Sequence, residues 1–212
     1  MGVLLRQERN AVVTGVDMFP LAEGNKLDAF ILHDLNAGPP PTPLADFDRV
    51  LLLDVIEHLA APEEFVAQLR RAAAPSPNTS LIVSTGNVAF AVTRFLHLFG
   101  LFNYGKRGIL DLTHTRLFTF ATLHRLFAQA GFDVKEVVGI PVPFPLAFGD
   151  NWFSTALLWI NRALIRIWKS MFSYQIFMVV QARPILETLL DAAHERSGVR
   201  AREIDENSSK TA

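Results

Sequence analysis

Short apolar runs alternate with stretches of helical spacing through the first two thirds of the chain. Ala11-Val12-Val13-Thr14-Gly15-Val16 is uncharged and partly β-branched, which predicts a buried strand that ends at Asp17. Ala29-Phe30-Ile31-Leu32 is a second such run, followed by His33 and Asp34. Val50-Leu51-Leu52-Leu53 is a third, stopped by Asp54. Between them, residues 37–43 hold one Gly and four Pro and read as an irregular connection. Pro62 opens a helix with Glu63 and Glu64 in its first turn, where the macrodipole favours acids. Phe65, Val66, Leu69 and Ala73 give that helix an apolar stripe. Ser80-Leu81-Ile82-Val83-Ser84 predicts a fourth strand, and Thr119 caps a helix from Phe120 to Ala130 that Gly131 stops. Phe132 to Val138 and Tyr174 to Ala182 are extended. Strands that end in polar residues and alternate with helices predict an α/β sheet, helices on both faces, and a site at the strands' carboxyl ends.

Asn151 to Phe172 departs from this rhythm. It reads as one long helix carrying all three tryptophans, at 152, 159 and 168. Arg162, Arg166 and Lys169 recur at i, i+4 and i+7 and are expected on one face, while most of the remainder is apolar. A membrane span needs about 20 mainly apolar residues with few charges, so three cations argue against one. An in-plane membrane helix with a basic rim fits the composition. A lid over an acceptor pocket, or a dimer contact, fits it as well.

The bulk numbers narrow the classes. The 212 residues are 50% hydrophobic with a formal net charge of −1, enough apolar material for one globular domain. That charge gives no reason to expect nucleic acid. Cysteine is absent, which excludes disulfides, zinc–thiolate sites and thiol nucleophiles, and fits a reducing cytoplasm. The start is not a secretory signal, because Val3-Leu4-Leu5 gives way at once to Arg6. One domain over residues 1–190 is expected, and the polar, patternless stretch 195–212 is expected to be a disordered tail.

Several segments, in order, resemble the class I S-adenosylmethionine-dependent methyltransferases. Val13-Thr14-Gly15-Val16-Asp17 is similar to that family's second strand and terminal acid. The stretch from Phe47 through Asp54-Val55-Ile56-Glu57-His58-Leu59 resembles its fourth strand and following loop. Leu81-Ile82-Val83-Ser84-Thr85-Gly86-Asn87 resembles the fifth. Gly108 to Thr119, with Asp111, Thr113-His114-Thr115-Arg116 and the later Ala130-Gly131-Phe132, is typical of one large subgroup. The resemblance implies a Rossmann-like sheet, S-adenosylmethionine as cofactor, and methyl transfer to an oxygen of a small or lipid-linked acceptor. It also implies a central first strand and glycine-rich turn before Asp17, and counting back passes Met1. The domain is therefore expected to be incomplete at its N-terminus. Either the sequence begins late, or the strands at 12–16 and 50–53 pair with each other. A catalytically inactive module docking to a membrane or partner protein is the alternative function. A dinucleotide-dependent dehydrogenase would share the sheet and the strand-end acid, but nothing here resembles its catalytic residues.

The same resemblance assigns site residues. Asp17 is placed to accept ribose hydroxyls, an arrangement shared with dinucleotide sites; it equally suits a strand-end acid capping the next turn. Asp34 and Leu35 fall where relatives contact adenine, or form a simple turn. Asp54 and Val55 fall beside the methionine moiety and adenine edge. Glu57, His58 and His114 are the catalytic candidates, with either imidazole able to act as base. Asp54, Glu57, His58 and His114 also resemble the ligand set of two metal-assisted groups of relatives, which would admit magnesium, manganese or zinc. His97 and His124 are expected on helix surfaces. Arg116 is expected to bind an acidic acceptor or to pair with Asp111.

Overall fold

The computed structural model describes residues 1–22, 26–74 and 79–184. Six strands fall where the apolar runs predict them, but they form two sheets. Strand β1 (Thr14–Asp17) lies parallel to β2 (Ala29–Leu32), in register from Thr14↔Ala29 to Asp17↔Leu32. The larger sheet has the order β3-β4-β6-β5, built from β3 (Arg49–Leu53), β4 (Ser80–Gly86), β5 (Phe132–Ile140) and β6 (Gln175–Ala182). β3 and β4 are parallel, whereas β6 runs antiparallel to both of its neighbours. Strands β1 and β3 each end a sheet, and they do not pair with each other. A sheet joining the two strands is not formed among the described residues. Expected stretch 195–212 lies outside the described residues.

The core belongs to the larger sheet. Along β6, Ile176, Met178, Val180 and Ala182 alternate inward as the two-residue period of a strand requires. They meet Leu81 and Val83 of β4, then Phe65, Val66 and Leu69 of helix α2 (Pro62–Ala73) and Leu123 and Phe127 of α4 (Phe120–Gln129). Phe127 and Phe132 pack edge to face at 5.6 Å. Helix α4 begins in a reciprocal capping box between Thr119 and Thr122 and stops at Gly131, whose φ of 94° suits glycine. Arg70 of α2 fastens this layer by donating to the carbonyls of Gly131 and Arg183.

The smaller sheet contributes nothing fully buried: helix α1 (Gly2–Arg9) buries no residue and β1 is at best half-buried. It docks through the turn after β2. There Leu35 packs on the core, and the Asn36 side chain accepts a hydrogen bond from the Ala60 N–H at 2.9 Å.

Helix α3 (Ala91–Leu98) follows β4, and α5 (Phe144–Phe148), α6 (Trp152–Ile167) and α7 (Lys169–Phe172) connect β5 to β6. The expected single helix over 151–172 is broken. Trp168 adopts φ −144° and ψ 84°, which ends α6 before α7 begins. The break turns Lys169 away from the arginines. Its Nζ donates to the Val137 carbonyl at 3.0 Å and lies 5.4 Å from the Phe120 ring centroid. The three cations therefore do not share one face. No helix among the described residues is long and apolar enough to cross a membrane.

Candidate active site

Parallel strands β3 and β4 end side by side, and the chain must leave each one at the same end of the sheet. Asp54, the first residue past β3, takes φ 53°, a left-handed conformation that Asp tolerates better than most side chains. The turn is held firmly: Asp54 N–H donates to the Ser84 carbonyl at 3.0 Å, and the carboxylate accepts from Ser84 Oγ and Gln175 Nε2. A short 3₁₀ turn, Ile56–His58, follows.

The segment Thr113–Arg116 is strapped across that turn. Glu57 carbonyl accepts the N–H groups of Thr115 and Arg116, and Thr115 Oγ1 donates to the carbonyls of Glu57 and Leu59. The strap brings His114 beside His58, with ring centroids 4.8 Å apart and nearly perpendicular. His58 Nδ1 lies 3.2 Å from the Thr113 carbonyl, and His114 Nδ1 lies 3.0 Å from the Ile109 carbonyl. A carbonyl only accepts, so each neutral ring carries its proton on Nδ1 and leaves the Nε2 lone pair free. Two anchored imidazoles, each with a basic nitrogen unspent, are the main chemical feature of the site.

Asp111 completes this side. Its carboxylate accepts from Thr113 N–H and Oγ1, which hold it below the usual carboxylate range, helped by the two nearby histidines. These groups line a cleft of about 260 Å³ together with Asp54, Glu57, Gly86, Arg107, Gly108, Ile109, Tyr174 and Gln175. Burial, and then the Asp54 charge, raises the Tyr174 phenol. Gly108 sits at φ 98°, a conformation that L side chains rarely adopt, and a Cβ there would crowd Tyr174 Oη at 3.3 Å.

Glu57 is 2% exposed, and its Oε2 has no hydrogen-bond partner among the described residues. Burial therefore raises its pKa, opposed by hydrogen bonds from its own backbone and Thr85. A carboxyl whose folded pKa is raised holds its proton longer than in the unfolded chain. Its contribution is fully present below the ordinary value near 4.5 and is lost as pH rises through the folded pKa. In denaturant titrations, wild-type stability is expected to fall over that window, and Glu57→Gln to lack this component. Parallel pH profiles for the two proteins would contradict the assignment.

The expected metal site is not formed. Among the described residues no group of three or more His, Asp or Glu side chains is arranged to hold an ion. The reason is local: Glu57 is turned into the protein, Asp54 is committed to Ser84 and Gln175, and both Nδ1 atoms face carbonyls. Arg116 pairs not with Asp111 but with Glu63, at 2.9 Å on the surface. His124 is exposed as expected, whereas His97 is half-buried against Phe102.

The cofactor candidates are divided between the sheets. Asp54 and Val55 follow β3, while Asp17 ends β1 and Asp34-Leu35 follow β2; neither Asp17 nor Asp34 lines the cleft. Asp34 forms a turn with Asn36, whose N–H and side-chain amide lower its pKa. Asp17 accepts the Phe19 N–H through Oδ1 at 2.9 Å and is exposed. Its other oxygen accepts nothing among the described residues. That chemistry fits a ribose, which offers two adjacent hydroxyl donors. Sequence reasoning missed Tyr174, Gln175 and Arg107. Tyr174 immediately precedes β6 and Gln175 opens it, and only the strand's antiparallel direction brings its start to this end of the sheet.

Comparisons with known proteins agree with this architecture. The chain is similar to a chain in the complex between the Haloferax volcanii Trm112 methyltransferase activator and a methyltransferase. Identity there is 17% and the TM-score 0.54, over 86% of this chain and 77% of that one. It is also similar to an S-adenosylmethionine-dependent methyltransferase from Archaeoglobus fulgidus, with 15% identity and a TM-score of 0.50 over 84% and 80%. A Pyrococcus horikoshii protein matches at 14% identity and 0.50 over 85% and 76%. At these identities the likeness establishes the fold alone. No curated protein sequence matches. A family model described as a methyltransferase domain matches residues 2–137, well over half of the chain. The chain therefore belongs to the class I S-adenosylmethionine-dependent methyltransferases.

Proposed function

We propose that this methyltransferase acts on a hydroxyl oxygen of a small or lipid-linked acceptor held in the cleft between His58, His114 and Tyr174. The paired, Nδ1-anchored imidazoles carry this reading. An alcohol is a poor nucleophile until its proton is removed, and a free Nε2 at the cleft wall is a suitable base. S-adenosylmethionine, when bound, supplies a methyl group made electrophilic by its sulfonium.

The remaining work falls to the chain. Asp17 would hold the ribose, and Val55 and Leu35 would give the base its apolar contacts. His114 takes the acceptor proton on Nε2, and the Ile109 carbonyl fixes the ring so that little motion is needed. Asp111, ionised beside both rings, stabilises whichever imidazolium forms. His58, with its ring centroid 4.8 Å away, walls the other side of the acceptor's place. Orienting the acceptor against the methyl group supplies much of the rate, because reacting groups need not find each other in solution. A lipid-linked acceptor would enter from the side of α3 and α5–α7, where exposed aromatic residues make contact of residues 151–172 with a membrane the matching expectation.

The test is methyl transfer from labelled cofactor into separated polar and lipid fractions, with mass spectrometry locating the new methyl. An O-methylated product is expected. An N-methylated product would overturn the acceptor chemistry. Calorimetry showing no binding of S-adenosylmethionine or its demethylated product would favour the inactive docking module.

A further inference from the structure

Helix α6 is apolar on both sides: Leu157, Leu158, Leu164 and Ile165 are half-buried, yet a second apolar arc faces outward. In a surface helix the apolar stripe faces the core and the polar side faces water. Here the fully buried residues are polar: Ser154 and Asn161. Ser154 closes the capping box with Asn151, and Asn161 accepts from the Val142 N–H and donates to the Phe172 carbonyl. Many outward positions are nonetheless apolar. Trp152 is 82% exposed, Trp159 65%, Ile160 56% and Ile167 80%. At 100° per residue, Trp152, Trp159, Ile160, Ala163 and Ile167 share one outer arc, opposite Asn161. Arg162 and Arg166 stand on one shoulder of it.

A second apolar surface lies on α3. Phe95, Leu98 and Phe99, in and just after α3, are all more than half exposed. Two contacts tie the start of α3 to the end of α7: Asn87 Nδ2 donates to the carbonyls of Ser170 and Ser173, and the Phe90 ring meets Tyr174 at 5.9 Å. Both surfaces therefore emerge from the sheet end that carries the cleft. Their charge is one-sided. No Asp or Glu occurs from Phe65 to Leu110, where Arg94, Lys106 and Arg107 lie. Between Val137 and Pro184 the only acid is Asp150.

We infer that α6 and the α3 segment form a docking face for an anionic lipid bilayer, lying in the plane of the interface with the cleft opening toward it. Tryptophan suits that depth, since one edge of the ring is apolar and its N–H stays wet. The cations supply the long-range attraction, and aromatic burial supplies the hold. A soluble monomer seldom leaves so many large aromatic and aliphatic side chains in water on neighbouring elements. On these segments Arg94, Arg162, Arg166 and Lys169 outnumber the one acid, Asp150, and that balance selects an anionic surface over a neutral apolar partner.

This inference deepens the lipid-linked reading of the site, but its test needs neither cofactor nor acceptor, so either can fail alone. The full chain is mixed with phosphatidylcholine vesicles with and without phosphatidylglycerol, and binding is read by co-sedimentation and tryptophan fluorescence. Binding that requires the anionic lipid, with a blue-shifted emission, is expected. The double substitution Arg162→Glu with Arg166→Glu should weaken binding by about tenfold or more. Trp159→Ala should weaken it with the charge intact, and circular dichroism verifies that each variant is folded. No binding to anionic vesicles overturns the proposal. So does a dimer that Trp159→Ala dissociates without any vesicle binding, which would assign the face to a second copy of the chain.

Discussion

Replacing His114 by alanine is expected to lower kcat for methyl transfer by about 10²–10⁴-fold, the range for loss of a positioned general base. His114 is not merely near the cleft. Its tautomer is set by the Ile109 carbonyl, its backbone N–H donates to the Asp111 carbonyl, and its neighbours Thr115 and Arg116 are pinned to Glu57. The ring thus meets an acceptor with its proton-taking nitrogen already aimed. His114 is not among the residues assigned to the cofactor, so cofactor affinity measured by calorimetry should hardly change. His58→Ala should reduce turnover less, because His58 is exposed and its anchoring contact is longer. His124→Ala, out on α4, is the control. Turnover in His114→Ala close to wild type, at any pH, would remove the base from this position.

Asn87→Ala is expected to destabilise the fold by about 3–4 kcal/mol, measured by denaturant unfolding. Asn87 is fully buried at the end of β4, where the sheet gives way to the helices over the cleft. Its amide donates to two carbonyls, of Ser170 and Ser173, and its Oδ1 accepts the Ala89 N–H. Alanine would leave all three backbone groups without a partner, each costing roughly 1–3 kcal/mol where water cannot reach, and partial relaxation recovers some of that. Asn87→Asp should be worse, since a carboxylate would face two carbonyl oxygens. A loss below about 1 kcal/mol for alanine would mean that water replaces the amide and that α7 is held by other contacts. Because Tyr174 and Gln175 follow Ser173 directly, loosening this joint should also impair turnover in the surviving folded protein.

The strands were legible because each is a short apolar run with a polar stop. Val50 to Leu53 ending at Asp54 is visible to any reading of period and punctuation, as are the Pro62 start and the Thr119 cap of their helices. The histidine pair was legible as two residues, but not as a pair. Its geometry depends on the Thr115–Glu57 strap, a backbone contact between segments far apart in sequence that no local pattern encodes. The failed metal set has the same origin. Spacing places Asp54, Glu57 and His58 close together, but only the fold reveals that Glu57 turns inward. Helix α6 misled for a different reason. Its composition is continuous across Trp168, and the break follows from Lys169 reaching Val137 and Phe120, a tertiary preference that overrides helical spacing. Asn161 gave no signal at all, since one asparagine in an apolar helix looks like a surface residue until its partners are known.

Ile140 and Gln175 face each other across the β5–β6 ladder, and the Tyr174 N–H is bonded to the Ile140 carbonyl at 2.9 Å. The stretch between them leaves and rejoins the sheet at adjacent points, and Lys169 on Val137 and Asn87 on Ser170 and Ser173 tie it down near its second end. Lengthening, trimming or exchanging that stretch leaves the register of the sheet untouched. Of that stretch only Tyr174 lines the cleft, so a graft of a relative's residues 141–168, which spares Tyr174 and the Lys169, Ser170 and Ser173 anchors, is expected to leave the histidine pair and the sheet in place.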